Sequence, residues 1–190
     1  MTPVVITPGR FADDRGWFSE TYNARSLSKY GILETFCQDN QSFSRSAGTL
    51  RGLHFQAPPF AQAKLVRCVI GRIFDVAVDI RRQSPTFGKW VGTELSADDG
   101  RQLYVPVGYA HAFLTLEADC AVAYKVDAFY SAEAEGGVVW NDRDVAVDWP
   151  LKGGAPLLSA KDGLLPALCD LDVEFSYDGN PLTSLREIKL

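Results

Sequence analysis

Histidine is scarce in this sequence, since His54 and His111 are the only two among 190 residues. An imidazole is the side chain best suited to moving protons near neutral pH. A site that needs such a base therefore has two candidates. Both lie in apolar segments of strand-like composition.

Cysteine is also sparse, and its four positions include no C-x-x-C pair. Scattered thiols of this kind favour reduced, mostly packed side chains over disulfides or a thiolate zinc site. The four positions are Cys37, Cys68, Cys120 and Cys169.

Long apolar runs and a surplus of basic residues are missing too. No run approaches the roughly 20 residues that span a bilayer. The first residues lack a basic region followed by an apolar stretch, so we expect a cytoplasmic protein without membrane contact. The net charge of −5 argues against nucleic acid as a partner, because phosphate binding needs a basic face. A small anionic ligand needs only a few local cations and stays compatible with this balance.

The sequence is rich in β-strand signal. Short runs of β-branched and aromatic residues alternate with Gly and Pro turns, in a chain long enough for one domain with a substantial core. This pattern predicts a mostly β fold, a jelly-roll barrel with a few short helices. The predicted strands are residues 4–7, 17–22, 36–43, 49–56, 64–70, 73–80, 90–95, 102–105, 112–116 and 120–129, and the predicted helices are residues 24–30 and 164–171.

Two of these strands flank a glycine turn. Residues 64–70 and 73–80 are separated by Gly71-Arg72, and we expect them to form a β-hairpin. No internal repeat or linker divides the chain.

His54 lies in the segment Leu50-Arg51-Gly52-Leu53-His54-Phe55-Gln56. A lone strand histidine is more often a packed core residue, but a buried arginine nearby is costly unless it is paired. Arginine, histidine and glutamine together favour the lining of a cleft. Strict alternation places Arg51 and His54 on opposite faces, and a bulge at Gly52 would turn both inward.

His111 ends a Pro106-x-Gly108-x-x-His111 pattern, which resembles the second metal-binding motif of cupin barrels. Such sites usually need three histidines and a glutamate, with a His-x-His pair in the first motif. The matching place here reads His54-Phe55-Gln56, so two histidines cannot build that site. Binding of a transition metal by both histidines and a carboxylate stays open, but a cupin barrel without metal explains these residues better.

Four other side chains, those of Arg51, Lys64, Tyr124 and Asp162, have the chemistry that such a site needs. Arg51 and Lys64 are close in sequence to His54 and favour an anion or oxyanion site, whereas Arg67 is better explained by ordinary ion pairs. Tyr124 is either core packing or a proton donor facing a histidine base. Asp162 lies in an acidic, turn-rich stretch that reads as a surface loop, yet its carboxylate is of the kind that fixes a histidine tautomer.

The sequence as a whole resembles the dTDP-4-dehydrorhamnose 3,5-epimerase family. The matching blocks run in family order from about residue 4 to about residue 165, while residues 173–190 look idiosyncratic. One small departure is Ala112, where the family more often has glycine. The blocks are residues 14–23, 38–40, 50–56, 64–68, 74–81, 84–88, 101–103, 124–125, 140–142 and 158–162.

This resemblance implies one cupin-like jelly-roll domain over residues 1–190, with a C-terminal extension from about residue 166. It implies a homodimer that needs neither a metal nor an organic cofactor. It also implies conversion of the sugar nucleotide dTDP-4-dehydro-6-deoxy-D-glucose to dTDP-4-dehydro-L-rhamnose.

The resemblance further assigns roles residue by residue. His54 is the implied base, Asp162 orients it, Tyr124 is the acid on the opposite face and Lys64 stabilises the enolate. Tyr130 is implied to stack on the thymine. The other implied substrate contacts are Arg15, Glu20, Gln38, Asp39, Asn40, Arg51, His111, Glu135 and Lys161.

Three alternatives remain open. A relative could epimerise one carbon only, or isomerise the ketone of a related deoxysugar nucleotide. A barrel of this kind could also bind a sugar nucleotide without catalysis, although mere binding needs no pair of base and acid. A metal-dependent cupin dioxygenase is disfavoured by the two histidines.

Overall fold

The computed structural model describes residues 1–190 and contains thirteen strands, one α-helix and two short 3-10 helices. In chain order the elements are β1 Val4–Thr7, β2 Arg10–Asp13, β3 Gly16–Ser19, α1 Ala24–Ser28, β4 Gln38–Ser44, β5 Leu50–Gln56, β6 Lys64–Ile70, β7 Arg72–Asp79, β8 Trp90–Ser96, β9 Gln102–Val105, β10 Tyr109–Thr115, β11 Cys120–Val126, β12 Glu135–Gly137 and β13 Arg186–Lys189, with 3-10 helices at Asp162–Leu164 and Leu168–Asp170 between β12 and β13.

Most strands belong to two sheets that pack face to face. One sheet has the strand order β13-β1-β9-β6-β11-β4, and the other has the order β12-β5-β10-β7-β8. The strands β2 and β3 pair only with each other. The mostly β, cupin-like jelly-roll prediction is confirmed. No helix has the length and apolar character that crossing a membrane requires.

Three apolar layers follow from strand alternation, because successive side chains face opposite sides of a strand. The middle layer fills the space between the two sheets and includes Val66 and Phe113. The second covers the outer face of the five-stranded sheet, where Leu53 packs with residues of the C-terminal part, such as Phe175. The third lies outside the six-stranded sheet and includes Leu27 of α1.

The predicted hairpin of residues 64–70 and 73–80 is wrong. β6 pairs with β9 and β11 in the six-stranded sheet, whereas β7 pairs with β10 and β8 in the five-stranded sheet. The turn at Gly71 therefore leads the chain from one sheet to the other. Gly71 has φ +79, and a Cβ there would lie 2.6 Å from the Sγ of Cys120, so both the backbone and the neighbour favour glycine.

The first predicted helix is confirmed as a short element. The Asn23 side chain accepts hydrogen bonds from the backbone N–H groups of Arg25 and Ser26, which is a standard N-cap. Gly31 follows with φ +84. The second predicted helix, residues 164–171, is wrong. Pro166 has no N–H and disfavours the helical conformation at Leu165, which is extended between the two 3-10 helices.

The C-terminal residues are part of the fold. β13 pairs in parallel with β1 and adds a strand to the six-stranded sheet. The buried Arg81 forms ion pairs with Asp79 at 2.8 Å and with Asp178 at 2.9 Å, which fastens the tail to β7. All four cysteines are free; Cys68 and Cys120 are buried, and the other two are exposed.

Candidate active site

A bulge in β5 aligns the first half of the site. His111 pairs with His54 and Phe113 pairs with Arg51, so Ala112 of β10 faces two residues of β5. Gly52 has φ +127, and a Cβ there would lie 2.6 Å from the His111 carbonyl oxygen. The bulge predicted at Gly52 is confirmed. It places Arg51, His54 and Gln56 on the inner face, while Leu50, Leu53 and Phe55 pack in the outer layer.

The six-stranded sheet supplies the opposite wall. Tyr124 of β11 pairs with Asn40 of β4, and Val126 pairs with both Gln38 and Lys64. These four polar side chains therefore alternate onto the inner face. A cavity of about 250 Å³ and an adjoining one of about 140 Å³ share His54, Lys64 and Tyr124 in their walls. The other lining residues are Ser42, Arg51, His111, Phe113, Ser159, Lys161 and Asp162 in the first, and Gln38, Asn40, Phe55, Gln56, Gln62, Tyr130 and Glu135 in the second.

His54 and Asp162 form a dyad between β5 and a 3-10 helix. The His54 Nε2 donates to Oδ1 of the buried Asp162 at 2.6 Å, and the Asp162 N–H donates to the Ser159 hydroxyl. No group is hydrogen-bonded to Nδ1. Burial lowers the pKa of His54, although Asp162 opposes this shift. The ring is therefore neutral near pH 7, and its Nδ1 lone pair is free to accept a proton.

Lys64 is a buried cation beside the dyad. Its side chain is among the few charged ones that are nearly inaccessible, and Nζ donates to the His54 carbonyl at 3.4 Å. Burial lowers the pKa of Lys64 to about 8, while the Asp75 and Glu135 carboxylates raise it. Most Lys64 side chains are thus still protonated at neutral pH, which leaves a buried positive charge beside the dyad.

Tyr124 faces the dyad from the other sheet. Burial raises the pKa of its phenol, and the Arg51 guanidinium lowers it by a smaller amount. The hydroxyl therefore keeps its proton at neutral pH. A proton acceptor and a proton donor thus lie on opposite walls of one cavity.

His111 belongs to a second, more deeply buried pair. Its Nε2 donates to Oδ1 of Asp75 at 2.5 Å, and Asp75 is fully buried on β7. Asp75 was not among the predicted site residues. Alternation does place it on the inner face of β7, so a buried carboxylate beside two histidines was the signal that could have identified it.

A polar trio lies at the rim of the site: Tyr130 and Glu135 line the smaller cavity, and Lys161 lines the larger one. The Tyr130 hydroxyl donates to Oε2 of Glu135 at 2.8 Å, and the Lys161 ammonium pairs with the same oxygen. This pairing lowers the pKa of Glu135. Tyr130 is 57% exposed, so its ring is accessible to a ligand.

Three predicted site residues lie outside these cavities. Arg15 is on the turn between β2 and β3, where it pairs with Asp13 at 2.6 Å. Glu20 follows β3 and accepts a hydrogen bond from Asn23. Asp39 points to the outer face of β4 and pairs with Lys125 at 2.7 Å, because alternation separates it from its neighbours on the inner face.

The side chains do not form a cluster of three or more His, Cys, Asp and Glu that could hold a metal ion. His54 and His111 face each other across the β5–β10 pair, but each ring is hydrogen-bonded to its own carboxylate. The arrangement is suited to proton transfer beside a localised positive charge.

Known proteins resemble the chain over most of its length. A family model described as dTDP-4-dehydrorhamnose 3,5-epimerase matches residues 2–170. The curated dTDP-4-dehydrorhamnose 3,5-epimerase of Sinorhizobium fredii is 51% identical over 173 residues, which is 91% of this chain and 88% of the relative.

Solved structures agree with this likeness. The enzyme of the same name from Bacillus anthracis, with TDP and PPi bound, superposes with a TM-score of 0.84 at 50% identity, covering 87% of this chain and 93% of that one. The dTDP-6-deoxy-D-glucose-3,5-epimerase of Legionella pneumophila, in complex with dTDP-4-keto-L-rhamnose, gives 0.86 at 42% identity, covering 91% and 93%.

Proposed function

The chain belongs to the dTDP-4-dehydrorhamnose 3,5-epimerase family, and we propose that it converts dTDP-4-dehydro-6-deoxy-D-glucose to dTDP-4-dehydro-L-rhamnose. The observation that carries this proposal is the placement of the His54–Asp162 dyad and Tyr124 on opposite walls of one cavity. Lys64 lies beside the dyad in the same cavity. Inversion at carbon requires such a pair, because the proton must leave one face and return to the other.

The first step is removal of a proton beside the ketone. The 4-keto group acidifies the C–H bonds at C3 and C5, since the electron pair of the broken bond moves to the carbonyl oxygen. His54 Nδ1 accepts the proton, and the Asp162 carboxylate stabilises the imidazolium that forms. Because the substrate already contains the carbonyl, the step needs no cofactor.

The enolate oxygen is stabilised by Lys64. A cation fixed in a buried site stabilises developing negative charge more than it would in water, because no solvent must reorganise. The lowered pKa of Lys64 also makes its ammonium group a better hydrogen-bond donor to that oxygen.

Tyr124 returns a proton to the opposite face. Its phenol carries the proton at neutral pH. After each inversion His54 releases the proton at Nδ1 to solvent and the Tyr124 phenolate takes up a proton from solvent, so both groups are restored before the second carbon reacts. In the gluco configuration the hydrogens on C3 and C5 lie on the same face of the ring. One base and one acid can therefore serve both carbons, provided that the ring shifts slightly between the two steps.

The nucleotide occupies the rim in this proposal. Tyr130 stacks on the thymine through its accessible ring, and Arg51 and Lys161 supply positive charge for the diphosphate. The further substrate contacts are Gln38, Asn40, His111 and Glu135, all of which line one of the two cavities.

The decisive test is proton NMR of the purified protein with dTDP-4-dehydro-6-deoxy-D-glucose in heavy water. We expect deuterium at both C3 and C5 of a product with inverted configuration at both. Label at one carbon only would show that the protein is a single-carbon epimerase and would contradict the proposal. If no label is incorporated although the sugar nucleotide binds, the protein is a non-catalytic sugar-nucleotide-binding barrel.

We also propose a homodimer in which Arg15 and Glu20 reach the site of the partner subunit. The β2–β3 hairpin pairs with neither sheet and exposes Phe11, Trp17 and Phe18. Exposed aromatic groups of this size favour contact with another protein surface. The hairpin also carries a side chain, Arg15, that is 90% exposed and lines neither cavity of its own chain.

Mixing two impaired variants tests this arrangement. Arg15→Ala and His54→Ala protomers are unfolded together and refolded, and their activity is compared with that of each variant alone. If Arg15 acts on the partner, each mixed dimer has one complete site, so we expect about a quarter of the wild-type rate from random reassembly. If no activity returns although mixed dimers are detected by mass, Arg15 does not act across the interface.

A further inference from the structure

Gln56 has no role in the chemistry described above, although it lies two residues from His54 on the same face of β5. Its side chain is almost completely buried, and both ends of the amide are used. Oε1 accepts a hydrogen bond from the Ser131 N–H at 2.7 Å. Nε2 donates to the Phe60 carbonyl at 2.7 Å and to the Phe129 carbonyl at 3.3 Å. One side chain thus joins a strand to two separate loops.

Two other glutamines bind the same loop. Gln38 of β4 accepts a hydrogen bond from the Tyr130 N–H at 3.1 Å, and Gln62, between β5 and β6, donates to the Ala128 carbonyl at 2.7 Å. Each of the four consecutive residues 128–131 therefore has a backbone group held by a glutamine side chain. We name Gln38, Gln56 and Gln62 the glutamine clamp.

The loop that the clamp holds is irregular and presents aromatic rings. Residues 128–131 belong to no strand or helix. The Phe129 and Tyr130 rings are 69% and 57% exposed, so the loop is fixed through its backbone while its rings remain free. An irregular segment without such bonds would lose conformational freedom when a ligand binds, and that loss would weaken binding.

We propose that the glutamine clamp is a positioning device that holds residues 128–131 in the conformation that receives the planar base of the nucleotide. The inference rests on the proposed function, because it takes the base to stack on Tyr130. Among uncharged side chains, only a primary amide can accept from an N–H and donate to two carbonyls at the same time, as Gln56 does. Glutamate in place of Gln56 could not donate to the two carbonyls, and it would bring a second carboxylate close to Glu135, which faces position 56 across the β5–β12 pair.

The clamp acts on binding and leaves the chemistry unchanged. No member of it is hydrogen-bonded to His54, Asp162 or the Nζ of Lys64, and the dyad is held by separate hydrogen bonds. Loss of the clamp should therefore raise KM for the sugar nucleotide and Kd for thymidine diphosphate, while kcat changes little.

The test uses Gln56→Met and Gln62→Met, singly and combined, in the full-length protein. Methionine keeps the length of the side chain and removes its hydrogen bonds. For Gln56→Met we expect Kd for thymidine diphosphate, measured by calorimetry, to rise about tenfold, with kcat within about threefold of wild type. Hydrogen exchange of the amides of residues 130 and 131 should become faster. Gln62→Met, at a less buried position, should show a smaller effect in the same direction.

Gln102→Met is the matched control. Gln102 is equally buried and also binds a backbone carbonyl, that of Thr21, but it lies on the outer face of the six-stranded sheet. We expect its Kd and the exchange of residues 128–131 to match wild type. The inference is wrong if Gln56→Met lowers kcat with KM unchanged, or if it behaves like Gln102→Met. A wild-type protein that binds no thymidine diphosphate would refute the proposed function instead.

Discussion

His54→Asn is expected to lower kcat by about 10³- to 10⁴-fold, which is the upper part of the range that a positioned base contributes. The 3-10 helix at Asp162–Leu164 should keep its place, because the Asp162 N–H still donates to the Ser159 hydroxyl. What disappears is the Nδ1 lone pair that accepts the proton. Deuterium exchange at C3 and C5 should fall with turnover, because the first C–H bond is no longer broken.

Binding and folding measurements separate this loss from a structural defect. Thymidine diphosphate should bind the variant with nearly wild-type Kd, since the nucleotide contacts lie at the rim. The midpoint of urea unfolding should change little. A kcat within tenfold of wild type would show that His54 is not the base, and His111 would then be the remaining histidine candidate.

Tyr124→Phe is expected to separate exchange from inversion. The phenyl ring still fills the wall of the cavity, but no proton can be returned from that side. Formation of inverted product should fall by about 10²- to 10³-fold. Exchange of substrate hydrogens with heavy water should persist, because His54 can remove a proton and return deuterium to the same face.

Tyr22→Phe provides the matched control for that experiment. Tyr22 is partly buried against Phe36 outside the cavity, so the same loss of a hydroxyl there should leave both rates unchanged. Equal losses of exchange and inversion in Tyr124→Phe would contradict the assignment of base and acid to opposite faces.

Local sequence patterns predicted most strands because their residues alternate strongly. β6 and β9 have the predicted bounds, and the Gly52 bulge followed from the need to turn Arg51 and His54 to one side. The pairing of β6 and β7 did not follow. A glycine turn between two apolar strands looks the same in a hairpin and in a crossover between sheets, so the error is one of long-range contact.

Three other groups of features were not predicted from the local sequence: some short strands, the direction of Asp39 and the position of Asp162. β2, β12 and β13 were missed because they are short and polar or glycine-rich. The outward direction of Asp39 could have been predicted from alternation with Asn40, whereas the family resemblance grouped the two residues together. The residues that bring Asp162 to His54 are irregular, and nothing in their composition fixes where they pack.

The bulge of β5 has a consequence for moving this site into another protein. Position 52 has no room for a side chain, and the neighbouring space holds the methyl group of Ala112. The space between positions 52 and 112 therefore holds only one methyl group, and in this sequence that group is the Cβ of Ala112 on β10. A designer who transplants His54 and Arg51 onto a new barrel must transfer the Gly52–Ala112 pair with them. Otherwise the side chains of His54 and Arg51 point to opposite sides of the sheet.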